Sequence, residues 1–242
     1  MHSLRDNVAL VTGASRGIGR AVAELLGQQG ATVLPTGRTG ADLDRVAQVV
    51  RDAGGEALPV PGDITDEGFV EALFGTVRER FGRLDILVNN AGIAPFGPVE
   101  DLSVHEFRRC LEVNLVAAFM CTQQAVRLMK QTGGTGKIIN IGSVRSHWTE
   151  SGDAGAYNAS KAGLRAMTES VARQIHGSGL DIAVGLVCPG VVDTALTNPD
   201  REPRPDWLRP ETVAQAVLQA VMAPPKVNVF DITLFPTFQK PW

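Results

Sequence analysis

The sequence predicts a doubly wound α/β domain, with seven mainly parallel strands in one sheet and helices on both faces. Three observations predict it. Short β-branched runs alternate with longer helical patterns along the whole chain. These runs are apolar almost throughout, as strands buried on both faces are. No linker, repeat or low-complexity tract interrupts the rhythm, so residues 1–242 read as a single domain.

The elements follow in order. "VALVT" opens the sheet and runs into a helix over 18–29; "ATVLPT" leads to a helix over 41–53, and "EALPV" to one over 66–81. "LDILVNN" precedes a long helix over 103–131, "GKIINIGS" one over 156–176, and "LDIAVGLVCPG" one over 210–222, before a last strand in "KVNVFDITLF". Pro35 removes a ladder donor, so it is expected near the end of the second strand. The segment "TNPDREPRPDW" reads as an exposed loop before the last helix.

Composition narrows the function classes. Apolar residues make up 44% of the chain, ample for one continuous core. The formal charge of −3 comes from interspersed acids and bases without a basic run, so nucleic acid is not expected as a partner. No apolar run approaches the roughly 20 residues that cross a bilayer, and "MHSLRDNVAL" lacks a signal-peptide pattern; no membrane association and a cytoplasmic location are expected. Cys110, Cys121 and Cys188 fit no metal-ligand spacing and lie in apolar surroundings, which implies buried, reduced thiols and no metal.

The first strand passes directly into "TGASRGIGRAVAELL", a context that gives its glycines meaning. Gly13 permits the sharp turn, Gly17 lets backbone approach a pyrophosphate, and Gly19 allows close helix packing. The helix start offers unpaired N–H groups and a favourable dipole to an anion. Ser15, Arg16 and Ile18 belong to the same expected contact set. Three further strand ends carry small polar clusters: "GDIT" with Asp63 and Ile64, "VNNAG" with Asn90, Ala91 and Gly92, and "CPGVVDT" with Pro189, Gly190, Val192 and Thr194. In a Rossmann-type sheet these loops meet at one crevice outside the carboxyl ends of the strands.

An acid at the end of the second strand would bind the adenosine ribose of NAD, but Leu25 through Ala41 contain no Asp or Glu. The chain reads "TGRT" there. Gly37 vacates the acidic position, Arg38 offers a fork of donors to a phosphate, and Thr39 adds a hydroxyl. Arg16 approaches from the other side. NADP(H) is therefore the preferred cofactor, with NAD(H) still possible.

The only tyrosine, Tyr157, stands in "YNASK" four residues before Lys161, on one face of a helix. Bringing a phenol from a pKa near 10 to about 7 takes roughly 4 kcal/mol, which a cation about 4 Å away at an effective dielectric near 20 supplies. The pair is suited to general acid/base work near neutrality.

The pattern TGxxxGxG, the "NNAG" after the fourth strand, a serine after the fifth and YxxxK on the next helix resemble the classical short-chain dehydrogenase/reductase family over about residues 7–234. The resemblance implies that Tyr157 exchanges the proton of the substrate oxygen and that Ser143 orients that oxygen. It further implies that Lys161 lowers the tyrosine pKa and holds the nicotinamide ribose, and that Asn114 positions a water linking Lys161 to solvent. The function implied is reduction of a carbonyl, or oxidation of a secondary alcohol, with NADP(H). Alternatives are a 3-oxoacyl-carrier-protein reductase, for which Arg173 is the one supporting residue, an NAD-dependent alcohol or polyol dehydrogenase, and a silent nucleotide-binding relative.

Substrate choice falls to "VRSHWTESGDAG" and to a short lid over 192–209, which implies an accessible pocket. Arg145 reads either as a solvated side chain or as the partner of a substrate carboxylate or phosphate. The family implies a homotetramer or homodimer joined through the helices containing Asn114 and Tyr157 and through the last strand. Phe230, Phe235, Phe238 and Trp242 at the end of the chain fit an interface.

Overall fold

Val-, Leu- and Ile-rich runs form the strands where the pattern places them, and the computed structural model, which describes residues 4–149 and 152–239, gathers them into one parallel sheet. The strands are β1 (Val8–Thr12), β2 (Thr32–Gly37), β3 (Glu56–Ala57), β4 (Val60–Pro61), β5 (Ile86–Asn89), β6 (Thr135–Ile141), β7 (Asp181–Pro189) and β8 (Asp231–Leu234). Their order is β3-β2-β1-β5-β6-β7-β8, with β4 also paired to β2. Register sets Leu10 beside Leu34 on one side and Leu87 on the other. The order reverses between β1 and β5, so the crevice that receives ligands in such sheets opens at their carboxyl ends.

Alternate residues of each strand serve opposite layers. Ala9 and Val11 pack with α1 (Gly17–Gln28), α2 (Gly40–Asp52) and α7 (Pro210–Val221). Val8 and Leu10 pack with α3 (Glu67–Phe81), α5 (Ala117–Gln131) and α6 (Gly155–His176). Leu10 and Leu87 are fully buried, each contributing about 2 kcal/mol by burial. Cys110, Cys121 and Cys188 are buried free thiols. Among the described residues no helix is long and apolar enough to cross a membrane.

Four elements depart from expectation, each for a local reason. Pro35 does not end its strand: it sits within β2, an inner strand, opposite Val11. Val33 and Gly37 carbonyls accept from Leu58 and Gly62 on the edge side, so the missing N–H of Pro35 faces that same edge. There the expected strand "EALPV" breaks into β3 and β4, with Pro59 between them. The helix expected over 103–131 is divided into α4 (Val104–Leu111) and α5 by a π-helical turn, Glu112–Val116, centred on Asn114. The last strand is confined to β8, because only four of its residues pair with β7.

Candidate active site

A cleft of about 390 Å³ opens at the carboxyl ends of the strands. Its nucleotide end is built by the loop after β1. Gly13 has φ 63, a left-handed turn that a side chain would resist, and its neighbour Thr12 accepts at its hydroxyl from the Asn90 and Ala91 N–H groups at 3.0 and 3.1 Å. The Asn90 amide donates to the Thr12 and Gly13 carbonyls at 2.9 and 3.1 Å, so "NNAG" fastens the glycine loop to the centre of the sheet. Asn89 points into the molecule, donating to Asn140 Oδ1 at 2.8 Å and Thr122 Oγ1 at 3.0 Å.

Helix α1 starts at this loop without a side-chain cap and with no acid in its first turn. Its first N–H groups and dipole are thus presented to an anion. Arg16 and Arg38 are both exposed and line the cleft; among the described residues neither has an ion pair or hydrogen-bonding partner for its side chain. A Cβ on Gly37 would lie 3.7 Å from Ser15 Oγ and from Leu43, ordinary contact distances, so the chain leaves room there for an acid that it does not carry. These features fit a dinucleotide with an additional phosphate on its adenosine ribose.

Asp63 accepts from the Thr65 N–H at 3.0 Å, from the Thr65 hydroxyl at 2.7 Å and from Arg109 at 3.3 Å. The Thr65 N–H above all, with the Thr65 hydroxyl and Arg109, holds its carboxyl below the ordinary value. No motif marks Arg109, which the sequence reading missed. It lines the cleft from α4, beside the equally unforeseen Ile93 and Val113, and Leu196 lines it from the lid.

At the other end, α6 and the turn after β6 bring Ser143, Tyr157 and Lys161 to one wall of the cleft. Lys161 is buried, donates to the Ile141 carbonyl at 2.7 Å, and places its Nζ 5.7 Å from the centroid of the Tyr157 ring. Burial pulls its pKa from 10.5 down to about 8. The Tyr157 ring is part-exposed, but desolvation of its hydroxyl pushes the phenol up, outweighing the Ser143 hydrogen bond and the Arg145 charge that pull it down. A phenol lowered by Lys161 towards neutrality is therefore not what the protein alone presents. The missing water costs the phenolate more than its neighbours restore.

Asn114 stands behind this wall. Its Oδ1 accepts from the Ile93 N–H at 2.8 Å, and its Nδ2 donates to the Ile93 carbonyl at 2.8 Å and to Ser160 Oγ at 2.9 Å. The side chain clamps the loop after "NNAG" to α6, and Gly92 keeps the space before it clear, since a Cβ there would lie 3.4 Å from Asn114 Oδ1 and 3.9 Å from Lys161 Nζ.

Of the site residues expected from sequence, Gly19, Thr39, Asn114 and Arg145 do not line the cleft. Gly19 serves packing, because a Cβ on it would collide with Asn90 and the Gly13 carbonyl. Thr39 is an exposed residue at the start of α2 and makes no side-chain cap. Arg145 is half-buried rather than solvated, donating to Asn158 Oδ1 at 3.2 Å. The others line the cleft.

The lid is tied at its base. Asp193 accepts from Asn198 and Arg209, each at 2.8 Å, and Val192 bridges to Leu208. At the aromatic end of the chain the half-buried Phe230 packs on the core and the half-buried Phe235 lies 5.9 Å from Trp148, while Phe238 is exposed and Trp242 lies outside the described residues. Gln239 accepts from the Val191 N–H at 2.9 Å, which straps the segment over the "PG" turn.

The family model described as short chain dehydrogenase matches residues 7–205. The chain belongs to the short-chain dehydrogenase family. Within this family of oxidoreductases it is 40% identical over 223 residues to a cis-4-hydroxycyclohexanecarboxylate dehydrogenase of Sinomonas cyclohexanicum, covering 88% of each chain. Among solved structures it resembles an alcohol dehydrogenase of the archaeon Thermococcus sibiricus, complexed with 5-hydroxy-NADP, at TM-score 0.88 and 30% identity over 98% of this chain and 99% of that one. It also resembles a metagenomic short-chain oxidoreductase in complex with NADP, at TM-score 0.85 and 32% identity over 98% of this chain and all of that one.

Proposed function

We propose that the protein interconverts a carbonyl and a secondary alcohol with NADP(H), Tyr157 exchanging the proton of the substrate oxygen. The observation that carries this reading is the convergence of Ser143, Tyr157 and Lys161 on the cleft that also holds the uncapped start of α1. The solved relatives described above hold NADP or a derivative of it, and the Sinomonas relative is named for oxidising a ring alcohol.

Each residue has a definite task. The start of α1 and the Gly13 loop receive the pyrophosphate, Arg16 and Arg38 the ribose phosphate, and Lys161 the ribose next to the nicotinamide. A nicotinamide held there would supply or accept the hydride. Ser143 donates to the substrate oxygen and fixes it beside the Tyr157 hydroxyl. Because burial keeps that phenol protonated at neutral pH, Tyr157 is set to give its proton as negative charge grows on the oxygen during reduction. The Lys161 ammonium, 5.7 Å from the centroid of the ring, stabilises the resulting phenolate. Asn114 holds the wall in place from behind.

Arg173, the one residue that favours the carrier-protein reading, is exposed and pairs at 2.8 Å with Glu169 on its own helix. A homotetramer or homodimer remains our proposal, through the helix containing Asn114: Phe107, Val116 and Phe119 are exposed along α4, the π turn and α5. A light-scattering mass of one chain would contradict it.

The test of the reaction is Tyr157→Phe, assayed by nicotinamide absorbance over a panel of ketones, aldehydes and alcohols. Turnover is expected to fall by about 10² to 10⁴ while cofactor binding changes little. Near-normal turnover would remove Tyr157 from the proton transfer.

A further inference from the structure

Three residues far apart in the chain, His147, Cys188 and Asp231, meet where the turn after Ser143 joins the last strands of the sheet. His147 follows the short helical turn Val144–Ser146, Cys188 lies at the end of β7, and Asp231 opens β8. Asp231 is in register with Leu186, two residues before Cys188, so the carboxylate and the sulfur belong to one face of the sheet. One donor atom from each of the three residues lies within 4.8 Å of the other two.

A simple ion pair does not account for the group. His147 Nε2 comes to 3.0 Å from Asp231 Oδ2 without the alignment of a hydrogen bond, and among the described residues this buried nitrogen has no hydrogen-bond partner. A buried ring nitrogen in that position has lost water and gained nothing for it. A cation between the two side chains and the sulfur would satisfy it.

The donors are one imidazole nitrogen, one sulfur and one carboxylate oxygen, a mixture that suits zinc and not the oxygen-seeking magnesium or calcium. Zinc bonds of about 2.0–2.3 Å in a tetrahedron set the ligand atoms roughly 3.3–3.6 Å apart, a closure within reach of small side-chain rotations. On binding, the Cys188 thiol gives up its proton to solvent, and thiolate and carboxylate together balance both charges of the ion. Spacing along the chain hides the group because each ligand comes from a different element.

We infer that His147, Cys188 and Asp231 form a zinc site that fastens the turn bearing Ser143 to β7 and β8, with water completing the coordination. The site is independent of the proposed reaction, and its test does not use activity.

Metal-free, reduced full-length protein is titrated with Zn²⁺ by calorimetry and, separately, with Co²⁺ followed by absorbance. The wild type is expected to bind one equivalent of Zn²⁺, and the cobalt form to show a thiolate-to-metal charge-transfer band. Asp231→Asn and His147→Gln, which leave the buried Cys188 in place, should each weaken Zn²⁺ binding at least tenfold, while His105→Gln on the exposed face of α4 should not. A wild type that binds no stoichiometric Zn²⁺ would leave His147 and Asp231 as an ion pair and overturn the site. A cobalt spectrum without the thiolate band, or unchanged affinity in either Asp231→Asn or His147→Gln, overturns it equally.

Discussion

Lys161 is 4% exposed, and its ammonium is held by one carbonyl, that of Ile141. Keeping a charge there opposes folding. The folded pKa of about 8 lies below the ordinary 10.5, so between these values the unfolded chain binds more protons and stability rises with pH; below pH 8 the full cost is present. A displacement of that size corresponds to about 3 kcal/mol. Lys161→Met should therefore be more stable than the wild type at pH 7, by about 1–2 kcal/mol once the lost hydrogen bond is allowed for, while losing activity. Urea unfolding of both proteins from pH 7 to pH 10 checks this, with the gap expected to narrow as pH rises; a destabilised variant at pH 7 would contradict it. The cost is borne for function, and it explains why spacing alone misjudged the pair. Tyr157 and Lys161 could be placed on one helix face from sequence, but the depth to which α6 sinks them, and hence the upward push on the phenol, depends on burial.

Close approach decides the behaviour of whole elements. Helix α1 meets the sheet through Gly19, where an added methyl would strike Asn90 and the Gly13 carbonyl. Gly19→Ala is expected to cost about 2 kcal/mol and to weaken cofactor binding, because it disturbs the clamp that holds the glycine loop. Thermal unfolding with and without NADPH reads both effects, and an unchanged midpoint in each condition would reject the packing role. The glycine pattern was legible because it sits between a strand and a helix. The π turn at Asn114 was not: a polar residue inside an apolar helix leaves no periodic mark, and only the bonds to Ile93 and Ser160 show why the helix widens there. Pro35 was misplaced for a similar reason. Its missing donor is tolerated in an inner strand because the neighbouring edge strand breaks at the same level, a relation between two strands that neither one carries alone.

At the scale of the molecule, alternating runs and helices were enough to foresee a parallel sheet with its loops at one edge, since the crossover rule leaves few other arrangements. The packing of Phe235 was not foreseeable: it reads as spare apolar surface until Trp148 comes to lie against it. The whole nucleotide half, β1, α1 and β2 together, bears on the central claim that this oxidoreductase works with NADP(H). Arg16 and Arg38 flank a cleft in which Gly37 stands where an acid would favour NAD, and two charge-assisted contacts at roughly 1.5–3 kcal/mol each amount to two or more decades. Room for a side chain on Gly37 makes Gly37→Asp with Arg38→Ala a fair reversal. The most direct measurement is kcat/KM for NADPH and NADH with one ketone substrate, in the wild type and then in this double variant. The wild type should favour NADPH by at least about 100-fold, with the preference falling or reversing in the variant; a wild type that is faster with NADH would contradict the account.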